Sequence, residues 1–188
     1  KGASHGSKAD EDIWDEFHEN GEDLVLEAQQ ILANKRGEPF RLRKDKTIDD
    51  HGRIGLDRDA SVKTRVGQTF FRSAVLASYN WACCVTGLRE IKLLNASHII
   101  PWSIDRKNRV NPCNGLCLNA LHDRAFDRGL MTISADYRIV FASEIRDCND
   151  EPINALLLNY EGRELTMPER FLPDQEHLRY HREKIFAG

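Results

Sequence analysis

The chain has 188 residues, 40% of them apolar and 30% charged, with a net charge of −3: the composition of a soluble globular protein of one domain, or of one domain and an appendage. It holds no apolar run of membrane-spanning length and no N-terminal export signal, which points to the cytoplasm. Five cysteines, an odd number, do not make a secreted disulfide framework. The opening KGASHGSKAD lacks Met and is rich in small residues, as expected of a piece trimmed from a longer protein with a further upstream domain.

In chain order, residues 10–33 carry helical spacing. Ile13, Trp14 and Phe17 share one stripe, Gly21 breaks it, and Leu24, Leu26, Ala28, Ile31 and Leu32 follow. Residues 35–60 mix Gly, Pro and both charge signs without an apolar period and read as a linker. From Arg65 the spacing of Phe70, Phe71, Ala74, Val75 and Tyr79 predicts a helix. Short extended runs are expected near Leu93–Ile100 and Gly115–Leu118. A short helix should then run from Asn119 as N-cap through Asp127, stopped by Gly129. Residues 130–133 and 138–141 read as a hairpin, and a terminal helix carries Leu178, Ile185 and Phe186.

Charge is distributed unevenly. Residues 61–130 hold ten Lys or Arg against four acids, a local +6 inside a chain whose remainder sums to −9. Such a stretch attracts polyanions, although a solvated charged face has the same composition. Within it, the loop IDRKNRVNP offers Arg106, Lys107 and Arg109 to DNA phosphates.

Three polar residues draw attention. His98 ends an extended run halted by Pro101, Asn114 lies where the loop rejoins the second strand, and His122 falls in the first turn of the helix. A strand–loop–strand–helix unit of this kind is expected to set His98 and His122 across a small cleft. Neutral imidazole accepts a proton from water near physiological pH, and a second imidazole can hold a metal ion.

The segments CCVTGL, ASHIIPWS and NPCNGLCLNALHDRAFDRGLMTI resemble the HNH endonuclease family, in a branch akin to restriction endonucleases, over roughly residues 61–145. The resemblance implies an α+β protein: a ββα-metal core at 61–188, a small antiparallel sheet, and helices at both ends, with residues 1–60 as a helical extension and linker. It implies hydrolysis of DNA phosphodiesters with one divalent ion, Mg²⁺ foremost, with Mn²⁺, Ni²⁺ or Zn²⁺ as substitutes. Carried over, His98 matches the general base, Asn114 the middle asparagine and His122 the metal ligand. A homodimer would let a single-site nuclease cut both strands.

The match is incomplete at the metal. Relatives place Asp or His directly before the catalytic His, where this chain has Ser97, and some place a second His where it has Phe126. Asp127 is the replacement ligand, although five residues from His122 on an ideal helix it points about 140° away. Cys83, Cys84, Cys113 and Cys117 lack zinc-ribbon spacing and read as small buried residues. Two alternatives stay open: a nucleic-acid-binding module of the same fold without chemistry, and a nuclease acting on RNA or damaged DNA.

Overall fold

The computed structural model describes residues 21–37 and 58–188, with side chains for 21–37 and from Thr64 onward. The first half of the expected N-terminal helical stretch and most of the expected linker lie outside the described residues. The chain divides into two compact units, Lys1–Phe70 with Arg106–Asn111, and Phe71–Asp105 with Pro112–Gly188.

In the first unit, helix α1 (Gly21–Arg36) opens with Glu22 and Asp23 and closes with Lys35 and Arg36, charges matched to the helix dipole. Only Val25 of this helix is buried, whereas Leu24, Ile31 and Leu32 stay exposed, so the expected apolar stripe faces outward. Gly21 is needed where it stands, because an added Cβ would come within 2.6 Å of Val110. Helix α2 (Arg58–Ser78) begins seven residues before the expected Arg65 and continues into the second unit. Its first turns are good helix formers but carry little apolar periodicity, which is why spacing alone missed them.

The second unit is α+β. Strand β1 (Leu94–His98) pairs antiparallel with β2 (Gly115–Asn119), with Leu94 opposite Asn119 and His98 opposite Gly115. Helix α3 (Ala120–Asp127) follows directly and contacts both strands. Asn119 caps it by accepting from the amides of Leu121 and His122. Gly129 ends it at φ +71°, and a Cβ there would strike the Ile185 carbonyl. Strands β3 (Met131–Ile133) and β4 (Ile139–Phe141) form the expected hairpin, a separate two-stranded sheet.

Two short helices, α4 (Ser143–Arg146) and α5 (Glu151–Leu156), lead to the terminal α6 (Gln175–Lys184). Phe71, Val75 and Leu76 of α2 pack with Leu94, Leu116, Leu118, Phe126, Met131, Ile139 and Phe141 in one core. Cys83, Cys84 and Cys117 are buried within it. Helix α6 is tied in by His181, whose Nε2–H donates to the Phe126 carbonyl at 3.1 Å while Nδ1 accepts from the Thr132 hydroxyl at 2.9 Å.

Candidate active site

Strand β1 ends at His98, and three features fix that end. The Phe71 ring stacks on the imidazole with centroids 3.7 Å apart, and Trp102 meets it edge-on at 5.4 Å. Gly115, across the ladder, makes room for this stack: a Cβ would lie 2.8 Å from Phe71 Cζ and strike Val75 as well. Just beyond the histidine, the backbone is held by Asn114, which is fully buried. Its Oδ1 accepts from the Ile100 amide at 2.8 Å, its Nδ2 donates to the Ile100 carbonyl at 3.1 Å, and its own carbonyl accepts from the Ile99 amide at 2.9 Å. The asparagine thus replaces a missing strand partner and sets the path of the chain leaving His98.

His122 occupies another place. Leu94 and Asn119 mark the ladder end opposite His98, four strand residues or about 13 Å away. The His122 Nδ1 lies 3.0 Å from Asn119 Oδ1. Its ring meets Tyr160 edge-on, and burial alone pushes its pKa down to about 4. Its Nε2 is buried without a partner. The ring lines a pocket of about 540 Å³ with Thr86, Gly87, Leu88, Leu93, Asn119, Leu156 and Tyr160 among its walls, and neither His98, Asn114 nor Asp127 reaches it. The expected cleft between His98 and His122 is therefore not formed there. Nor do His122 and Asp127 share a pocket, as a five-residue separation on a regular helix requires.

The neighbour of Asp127 is instead Asp123, one turn back on the same helix face. Asp127 is exposed as a residue, yet desolvation of its carboxyl and then the Asp123 charge push it up to about 6, against smaller opposing pulls from Arg124 and Arg128. Asp123 Oδ2 accepts from Asn95 Nδ2 at 2.7 Å, which joins this helix face to β1. Strand alternation puts Ser97 on the face that carries Asn95. The Ser97 hydroxyl is buried and has no partner.

These donors decide how well the chain suits the divalent ion that HNH nucleases use. Among the described residues no three His, Cys, Asp or Glu side chains are gathered as a metal cage. Two adjacent carboxylates and an unpaired hydroxyl do suit a hard cation such as Mg²⁺, which keeps most of its waters and takes one or two carboxylates plus substrate oxygens. The pocket at His122, with no carboxylate or thiolate in its walls, does not suit one.

Sequence reasoning passed over Asp123 and Phe71. The Asp123–Asp127 spacing was a readable signal; the stacking of Phe71 on a histidine 27 positions away was not. Arg106, Lys107 and Arg109 belong to the first unit, where Arg106 and Lys107 are exposed and Arg109 Nη1 lies 3.9 Å from Glu22 Oε1. No helix among the described residues is long and apolar enough to cross a membrane.

Comparison with known proteins agrees with the local fold. Residues 83–134 match the family model described as HNH endonuclease. No curated protein matches the chain. A solved structure, "Modification dependent TagI restriction endonuclease", is 26% identical with a TM-score of 0.45; the match covers 63% of this chain and 38% of that one. The strand–loop–strand–helix segment spanning residues 83–134 belongs to the HNH endonuclease family.

Proposed function

We propose that this chain is a cytoplasmic, restriction-type DNA endonuclease that hydrolyses phosphodiesters with His98 as general base and one divalent ion, Mg²⁺ foremost, held at Asp127 and Asp123. The observation that carries this reading is the Asn95–Asp123 bond, which couples the carboxylate pair to the strand ending in His98. His98, clamped between Phe71 and Trp102, takes a proton from the attacking water without swinging away. Asn114 acts as a positioning residue, since it binds the backbone beyond His98. Asp123 and Asp127, like charges one turn apart, are relieved by a cation, and Ser97 offers a neutral oxygen from the strand. When bound, the ion supplies positive charge to the phosphoryl and departing 3′ oxygens. His122, placed as a ligand by family resemblance, has no part in this ion site.

Arg106 and Lys107, exposed on their loop, contact DNA phosphates, while Arg109 is engaged by Glu22. Two copies of the chain together cut both strands. A second reading, a nucleic-acid-binding module without chemistry, is favoured by one observation: Ser97 stands where relatives carry a strong ligand. Relaxation of supercoiled plasmid with Mg²⁺, Mn²⁺ or Ni²⁺ separates the two. Cleavage by the native chain and none by His98→Ala is expected; binding without cleavage in both would establish the module instead.

A further inference from the structure

The pocket beside α3 has a use that phosphodiester chemistry leaves open. Asn119 Oδ1 is an acceptor, since it caps the amides of Leu121 and His122. The His122 Nδ1 facing it must therefore carry the ring proton. That leaves Nε2 as a bare lone pair, buried and unpartnered, in a pocket with ample room. Thr86 Oγ already accepts from the Leu88 amide and from Asn119 Nδ2, so its own proton is left to donate. One wall thus presents an acceptor and a donor. The other walls are apolar: Leu88, Leu93, Leu121 and Leu156, all exposed at the pocket mouth. Tyr160 adds an aromatic surface, and the Arg163 guanidinium sits 5.2 Å from its ring centroid.

We propose that this pocket receives a single nucleobase turned out of a nucleic-acid strand, its N–H edge on His122 Nε2 and its body between the leucine walls. A nucleobase edge carries donor and acceptor side by side and so answers both Nε2 and Thr86, whereas an aliphatic side chain would leave both unsatisfied. A metal ion would find one ligand only. The exposed Arg163 supplies a cation for the flanking phosphate. The inference rests on the reading of the chain as a nucleic-acid enzyme, but not on cleavage.

The test uses the whole chain in EDTA and a duplex with one 2-aminopurine opposite a mismatched base, read by fluorescence for base unstacking and by anisotropy for binding. Binding should raise 2-aminopurine fluorescence several-fold. His122→Leu should abolish that rise, and Leu156→Glu, at an exposed rim position that spares the core, should lower it roughly tenfold while anisotropy persists. Binding without a fluorescence rise, or a rise equal in both variants, would overturn the pocket assignment and leave the nuclease reading standing. No binding at all would overturn both. If Leu156→Glu instead converts a self-associating chain to a monomer in sedimentation and spares the fluorescence, the pocket is a protein contact and not a base site.

Discussion

Asn114 and Ile100 are joined by two hydrogen bonds, amide to Oδ1 at 2.8 Å and Nδ2 to carbonyl at 3.1 Å, so one side chain satisfies both backbone groups of a buried residue. Asn114→Ala leaves both groups without a partner and should destabilise the protein by about 2–4 kcal/mol. Because the chain just past His98 is released, kcat should fall further than stability explains. Chemical denaturation, with activity measured well below the unfolding transition, separates the two effects. Asn114→Asp should be nearly as damaging, since a carboxylate cannot donate to the Ile100 carbonyl.

Gly115→Ala tests the aromatic clamp. The new methyl would press on Phe71 and Val75, at an overpacking cost of about 1–3 kcal/mol, and push Phe71 off the His98 ring. Activity should drop, and pairing it with Phe71→Leu, which removes the obstructing ring, should recover part of the stability. A double mutant no more stable than Gly115→Ala alone would refute this account.

Asp127→Asn separates stability from function. At neutral pH the native carboxylate is held ionised against desolvation and against Asp123. The amide removes both penalties, so the melting temperature in EDTA should rise while metal-dependent cleavage is lost. A fall in melting temperature would show that Asp127 serves the fold.

The acid limb of stability should report His181. Its ring is buried neutral, with pKa pushed down to about 4, by burial first and Arg182 after it, against the Phe126 carbonyl bond. The unfolded imidazole titrates near 6.5, so between about 6.5 and 4 the unfolded state binds the extra proton. The stabilisation is complete above the upper value and is lost as pH falls towards the lower, on the order of 3 kcal/mol in all. His181→Gln should flatten that limb in urea titrations at pH 7 and pH 4.5.

Much of this protein was legible in its sequence because the signals were local. Asn119 as a helix cap, Gly129 as a stop, the two hairpin strands and the run of β1 and β2 follow from turn chemistry and alternation within a few residues. The family frame over residues 83–134 is equally a matter of local order and spacing. What only tertiary structure decided is which groups meet. Ladder register sends His98 and His122 to opposite ends of one hairpin, and helix phase turns Asp123 towards Asn95 while His122 faces a separate pocket. Spacing fixes the angle of a side chain about its own helix. The partner at that angle depends on how helix and strands pack, which is set by the shared core of Phe71, Leu116, Leu118 and Phe126, residues far apart along the chain.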